Sequence, residues 1–239
     1  LIKTNNNFGK AAVDFEISNQ LIADYFSSNE SQILIMPGFI ATSADGIGTT
    51  LGRGGSDYTA AILAGALNAS KLEIWTDVNG MFTANPKIVK QAQAIATISY
   101  QEAMELSHFG AKVLYPPTIQ PVFKKNIPIL IKNTFEPETE GTFISNNVPK
   151  NNKPVKGISS IDNITLITLE GSGMIGVAGV SKRLFEVLSH KHINVIFITQ
   201  ASSEHSICIG ILNTDAEIAE KAINKAFETE IFQNKIDPC

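Results

Sequence analysis

Thr49-Thr50-Leu51-Gly52-Arg53-Gly54-Gly55-Ser56-Asp57, continued by Tyr58-Thr59-Ala60-Ala61-Ile62-Leu63-Ala64-Gly65-Ala66-Leu67, decides how the rest of the chain is read. A glycine-rich turn runs directly into an alanine-rich, apolar helical pattern. Gly54 and Gly55 let the backbone bend and approach a ligand without Cβ collisions. Ser56 or Asp57 is the expected N-cap. The loop then ends where free backbone N–H groups and the positive end of the helix dipole favour an anion. Arg53 adds a planar fork suited to a carboxylate or phosphate. Asp57 is an acid beside an anion site, which makes sense if it orients a cation or a donor. The plainer alternative is a capped helix carrying a solvated arginine. The spacing is neither G-x-x-x-x-G-K-[ST] nor G-x-G-x-x-G, so neither a P-loop nor a dinucleotide fingerprint is supported.

Upstream, Leu21-Ile22-Ala23-Asp24-Tyr25-Phe26 has helical apolar spacing, and Gln32 to Phe39 is an apolar run ended by Pro37-Gly38, which predicts a buried strand. Residues 40–50 are polar and glycine-rich, a loop or a ragged hairpin. Downstream of the helix, Lys71 to Asp77 predicts the next strand. Strand, helix and strand in this order imply a parallel crossover, with ligands outside the carboxyl ends of the strands. Thr76 and Asp77 lie at such an end; turn chemistry is their other reading. Met81 to Lys87 is a loop. Ser99-Tyr100-Gln101-Glu102 is a capping box opening a helix that Gly110 closes, with Ala103, Met104, Leu106 and Phe109 as its buried stripe. Lys112 follows, either satisfying the last carbonyls or facing a phosphate. A short helix over 117–125 starts near a proline, and 128–134 is another buried strand.

From Glu136 to Lys156 the chain turns polar, which predicts a surface crossing and a domain boundary near 146–154. Beyond it the pattern reads strand 164–169, glycine-rich turn 171–176, helix 180–190, strands 193–199 and 206–212, and helix 216–227. This β-α-β-β-α order is that of a ferredoxin-like unit short of its closing strand. The two domains are therefore expected at 1–148 and 155–239.

Composition narrows the function classes. The chain has 239 residues, 44% hydrophobic and 18% charged, with net charge -4 and no basic block. Nucleic acid is an unsupported partner. No apolar run approaches membrane-span length and no signal peptide stands out, so the expectation is a soluble, cytoplasmic protein with no membrane partner. Cys208 and Cys239 make neither a disulfide framework nor a metal site, and Cys208 is expected in the core. His190-Lys191-His192 lacks partners at ligand spacing, so no metal site is expected there. The first residue is Leu1, which suggests a piece of a longer polypeptide.

Four motifs in this order and spacing resemble the aspartokinases of the amino-acid kinase family: Leu51 to Tyr58, Ile74-Trp75-Thr76-Asp77-Val78, Phe109-Gly110-Ala111-Lys112-Val113-Leu114-Tyr115-Pro116, and Ile131-Lys132-Asn133-Thr134. The resemblance covers nearly the whole chain. It implies an α/β fold: the carboxy-terminal part of an amino-acid-kinase α/β/α sandwich, followed by an α+β ferredoxin-like ACT regulatory domain. Ile198 to Ser206 is similar to the effector loop of the threonine-sensitive bifunctional aspartokinase–homoserine dehydrogenases.

The reaction so implied is ATP plus L-aspartate to ADP plus 4-phospho-L-aspartate, with Mg²⁺, the first step toward lysine, threonine and methionine. By family role Arg53 clasps an aspartate carboxylate, aided by Ser56 and the Gly54-Gly55 backbone, and Asp57 orients a catalytic lysine. Thr76 and Asp77 contact the adenosine part, Phe82 and Lys87 form the nucleotide loop, and Lys112 meets the ATP. Ile198 and Gln200 would bind the amino-acid effector, threonine, and ACT units from different chains would pair. Such chemistry needs two anions brought together with their charges neutralised; the acceptor carboxylate is already ionised.

The sequence departs from the family in places. The amino-terminal lysine-phenylalanine-glycine-glycine motif is absent, as are the amino-terminal threonine and glutamate that help hold aspartate. The family usually has tyrosine at Phe82, aspartate at Asn85 and arginine at Lys87, and often histidine at Tyr115. The expectation is that these 239 residues alone do not phosphorylate aspartate. The alternative is a module that senses an amino acid without catalysis.

Overall fold

A computed structural model describes residues 1–9, 11–109, 113–148, 155–200 and 204–239. The chain divides into two units, Leu1–Ser160 and Ile161–Cys239. Residues 155–160, expected to open the second domain, group with the first unit. Among the described residues no helix is long and apolar enough to cross a membrane.

The first unit runs β1 (Lys3–Thr4), α1 (Phe15–Ser27), β2 (Ile40–Ser43), β3 (Gly48–Thr50), α2 (Gly55–Ala66), β4 (Leu72–Thr76), β5 (Thr97–Ile98), α3 (Tyr100–Phe109), α4 (Ile119–Phe123), β6 (Ile129–Asn133) and β7 (Thr142–Ile144). Two sheets result. One has the order β1-β2-β3 and the other β4-β6-β7-β5. In the second, β4 and β6 are parallel, with Thr76 opposite Asn133 at their shared carboxyl end.

Helix α2 stands between two cores. Ile62 packs with Ile2, Ile22, Ala41 and Leu51. Ala61 and Ala64 join the larger cluster built from Ile74, Met81, Ile98, Leu106, Ile129 and Ile131. A helix buried on two sides needs small residues, and α2 supplies them. At Gly65 an added Cβ would come within 2.8 Å of the Pro121 carbonyl oxygen, so α4 lies against bare backbone there.

Several sequence expectations are corrected. The run over 32–39 is not a strand, and Ile33 and Ile35 are 82% and 96% exposed. Apolar content cannot make a strand without a partner to pair with. The strand preceding α2 is instead β3, in a different sheet from β4, so the expected strand–helix–strand crossover is not formed. The region 40–50 is indeed a hairpin, β2 pairing with β3. The polar stretch after Glu136 contains β7, which pairs with both β6 and β5.

Thr142 explains why so short a strand is kept. It is fully buried. Its hydroxyl accepts from the Met81 N–H at 2.8 Å and donates to the Ile95 carbonyl at 2.6 Å. It thereby closes the base of the loop over 81–95. Gly80 (φ +110) leaves that hydroxyl room: a Cβ there would lie 2.2 Å from Thr142 Oγ1.

The second unit runs β8 (Ile164–Glu170), α5 (Val180–His190), β9 (Phe197–Gln200), β10 (Ser206–Leu212), α6 (Ala216–Ala226) and α7 (Glu228–Phe232). Its antiparallel sheet has the order β8-β10-β9, as a ferredoxin-like unit requires before its last strand. Leu184 and Leu188 of α5 and Ala219 and Ile223 of α6 pack on Ile167, Leu169, Ile207, Ile209 and Ile211. Cys208 is not in this core. Strand alternation puts it on the face opposite Ile207 and Ile209, where it is half-buried. After α7 the chain returns to β8, and the Asp237 N–H donates to the Glu170 carbonyl at 2.8 Å.

Replacing Thr142 by valine keeps the shape and strands two buried backbone groups. Urea unfolding of Thr142→Val is expected to show a loss of about 2–4 kcal/mol. A loss under about 0.5 kcal/mol would contradict the role assigned to this hydroxyl.

Candidate functional site at the amino terminus of the second helix

The Arg53–Asp57 turn is built differently from the sequence expectation. Neither Ser56 nor Asp57 caps α2. The N-cap is Gly54, in the left-handed conformation with φ 67° and no side-chain cap. The Gly55 N–H bonds to the Gly52 carbonyl at 3.1 Å, and Tyr58 N–H closes the first helical turn on Gly54. Among the described residues the amides of Ser56 and Asp57 have no acceptor. Two N–H donors therefore remain available at the positive end of the dipole.

Sequence reasoning missed what holds this turn. At Gly54 an added Cβ would lie 2.5 Å from Tyr115 Cβ and 2.6 Å from its Cγ, so the tyrosine is pressed on bare backbone. At Gly55 the neighbour is the Phe39 ring, 2.8 Å from such a Cβ, and Gly38 abuts Ser56 in the same way. Phe39 itself has φ 73°, rare for a bulky residue. Its N–H donates to Thr59 Oγ1 at 3.0 Å, and its carbonyl accepts from Leu51 N–H at 2.9 Å. The signal was present as Pro37-Gly38-Phe39, which reads as a strand end rather than as the backing of a turn.

Arg53 is exposed and forms no ion pair among the described residues. Asp57 is half-buried, and burial pushes its carboxyl above the usual aspartate range. No cation reaches it among the described residues. Tyr58, also half-buried, has its phenol raised by burial first and then by the neighbouring Tyr115. The turn thus presents two donors and a cation outward, and holds an acid that is costly to ionise until a positive partner arrives.

Thr76 and Asp77 stand where expected, at the carboxyl end of β4. Thr76 Oγ1 donates to Asp77 Oδ1 at 3.2 Å, and Asp77 is exposed. Phe82 is bridged to Ala94. Asn85 caps the turn that follows, its Oδ1 accepting from Lys87 N–H at 3.0 Å, and Lys87 is exposed. Lys112 lies outside the described residues, as do Gly110 and Ala201–Ser203. The structure brings the Arg53–Asp57 turn together with Tyr115 and Phe39. It separately joins Phe82–Lys87 to β7 through Gly80 and Thr142.

In the second unit a cavity of about 320 Å³ is lined by Met174, Gly179, Val180, Gln200, Glu204 and Ile207, among others. Gly179, left-handed with φ 94°, caps α5 without a side-chain bond. Glu204 spans the cavity's rim, its Oε2 accepting from Gly176 N–H at 3.0 Å. Ile198 stands two residues before Gln200 on β9, 56% exposed.

Comparison with known proteins bears on both units. The model of the amino acid kinase family matches residues 1–133, and that of the ACT domain matches 167–227. A bifunctional aspartokinase/homoserine dehydrogenase of Haemophilus influenzae is 42% identical over 229 residues, 96% of this chain and 28% of that protein. The chain spans about a quarter of the length of the bifunctional relatives it matches. Among solved structures, Escherichia coli aspartokinase III in complex with lysine and aspartate aligns with TM-score 0.65 and 36% identity, covering 87% of this chain and 46% of that one. The same enzyme in complex with aspartate and ADP aligns with TM-score 0.63 and 27% identity, covering 95% and 68%.

A carboxyl whose folded-state pKa lies above its unfolded value favours folding while protonated and costs stability once pH rises through the folded value. Asp57→Asn is therefore expected to raise stability at pH 7, by an amount that half-exposure and solvent screening keep small. The gap should close as pH falls below the ordinary aspartate value of 3.8. Thermal unfolding of both proteins across that range measures it. A variant less stable than the parent at pH 7 would contradict the assignment.

Proposed function

The chain belongs to the amino acid kinase family, and on that footing we propose that it carries part of an aspartate kinase and its ACT regulatory unit. The reaction is transfer of the γ-phosphoryl group of ATP to L-aspartate, giving ADP and 4-phospho-L-aspartate. The observation that carries this reading is the α2 amino terminus: Arg53 exposed beside the unspent amides of Ser56 and Asp57. That set of donors fits a carboxylate. The aspartate and ADP complex of the E. coli relative supports it.

On this reading Arg53, Ser56 and the Gly54-Gly55 backbone hold the amino acid. Its side-chain carboxylate attacks the γ-phosphorus, an oxygen–phosphorus bond forms, and the bond to the ADP oxygen breaks. No general base is required, because the nucleophile is ionised. Thr76, Asp77, Phe82, Lys87 and Lys112 serve the nucleotide. Asp57, strained by half-burial, orients a lysine ammonium, which would also restore its charge. Mg²⁺ offsets phosphate charge when bound. Among the described residues no group of three His, Cys, Asp or Glu gathers to hold a metal. A cytoplasmic location goes with this reading.

A second reading has its own observation. The cavity lined by Gln200 in the second unit is of amino-acid size. Gln200 would hydrogen-bond the effector, threonine, with Ile198 beside it, and the second unit would pair with that of another chain. The 239 residues could then sense an amino acid without catalysis.

Two measurements separate these roles. In a coupled assay the 239-residue chain is expected to release no ADP in response to aspartate, for want of the family's catalytic lysine motif. Aspartate-dependent turnover would contradict this. Calorimetry with threonine, lysine and methionine is expected to give heat with threonine, and Gln200→Ala to lose it. No heat with any of the three would count against the sensor.

A further inference from the structure

Residues 155–158 form a strap across the nucleotide loop. Thr83, between Phe82 and Lys87, is held three ways. Its N–H donates to the Gln93 carbonyl at 2.9 Å, its Oγ1 accepts from the Gln93 N–H at 3.1 Å, and its carbonyl accepts from the Ile158 N–H at 2.8 Å. The first two bonds are local to the loop. The third comes from the chain on its way to the second unit.

The strap is pinned on its other side. Lys156 Nζ lies 2.8 Å from Glu102 Oε1 and 2.9 Å from Oε2. Glu102 is already fixed by the capping box of α3, where it accepts from Ser99 N–H and Oγ–H at 2.9 and 2.7 Å. Burial opposes its charge, but the Lys156 ammonium and the Ser99 donors outweigh burial and bring the carboxyl to about 2. Between the two anchors Gly157 passes close under Leu106: an added Cβ would lie 3.2 and 3.3 Å from its methyls and 3.4 Å from the Thr83 carbonyl. The Lys156 side chain is only 21% exposed, although the flanking Val155 and Ile158 side chains face solvent. A surface linker has no need of a paired, mostly buried lysine.

We propose that Lys156, held by Glu102, is a positioning residue for the nucleotide loop: it fixes the strap whose Ile158 N–H clamps Thr83 and so sets the loop that carries Phe82 and Lys87. The inference rests on the nucleotide role proposed for that loop. No group in the strap touches substrate. The contact works by lowering the number of loop arrangements the nucleotide must select among.

The test uses the 239-residue chain with Lys156→Met, Lys156→Arg and Glu102→Gln. Glutamine keeps the capping box and removes the charge, so it separates the ion pair from the helix cap. Amide hydrogen exchange reports the clamp directly. ADP with Mg²⁺ is titrated against the fluorescence of Trp75, the chain's single tryptophan, which lies next to Thr76. Lys156→Met and Glu102→Gln are expected to speed exchange at Ile158 and at Thr83 and Gln93, with β4 and α2 unchanged. ADP should bind about threefold to tenfold more weakly, the equivalent of one modest hydrogen bond. Lys156→Arg should restore both, and aspartate binding should stay unaltered. Faster exchange with unchanged ADP binding would make the strap merely structural and overturn the proposal. Unchanged exchange would overturn it at the first step. If the parent chain bound no ADP while its exchange pattern still responded to Lys156→Met, the nucleotide reading itself would fall, and the positioning role with it.

Discussion

Helix α2 is packed on two sides at once, and this constraint places everything that follows. Its outer neighbours are α1 with β1–β3 on one side and α4 with the four-stranded sheet on the other. Alanine and glycine are the residues that allow so close a double contact. Once the helix is wedged, its first turn is fixed in direction, and the Arg53–Asp57 segment has one place to be. Tyr115 on Gly54 and Phe39 on Gly55 then lock the turn from two distant parts of the chain. The absence of a side-chain cap follows naturally. A serine or aspartate that capped the helix would consume the donors that the proposed carboxylate site needs.

A similar economy holds the loop that follows β4. The loop over 81–95 enters the hydrophobic core only at its two ends, Met81 and Ile95, and between them it is tied by hydrogen bonds. Thr142 closes its base, Gln93 and Thr83 tie its sides, and Ile158 adds a clamp from the strap. Each of these bonds is modest singly. Together they convert the loop into a defined surface beside the carboxyl ends of β4 and β6.

Much of this was legible in the sequence where the pattern was local. The capping box at Ser99 and Glu102 formed with all its bonds, since it needs only four consecutive residues. The apolar strands over 71–77 and 128–134 and the β-α-β-β-α order of the second unit were readable from periodicity. The failures were non-local. The run over 32–39 looked like a strand but had no partner, and its tail became the backing of the α2 turn. Thr142-Phe143-Ile144 was too short and too polar in context to read as a strand, yet it lies between two others. Cys208 was placed in the core because its neighbours are apolar, although alternation puts it on the other face. For the site, the residue types were legible and the packing of Tyr115 and Phe39 on glycine was not, because no local signal encodes a contact across the chain.

The central claim is that the amides at the start of α2, with Arg53, bind an amino-acid carboxylate. Backbone amide shifts of the labelled 239-residue chain on titration with L-aspartate test it most directly. The account predicts saturable shifts at Ser56 and Asp57, abolished by Arg53→Ala. Saturable binding that leaves those two amides unmoved, or that survives the loss of Arg53 intact, would contradict it.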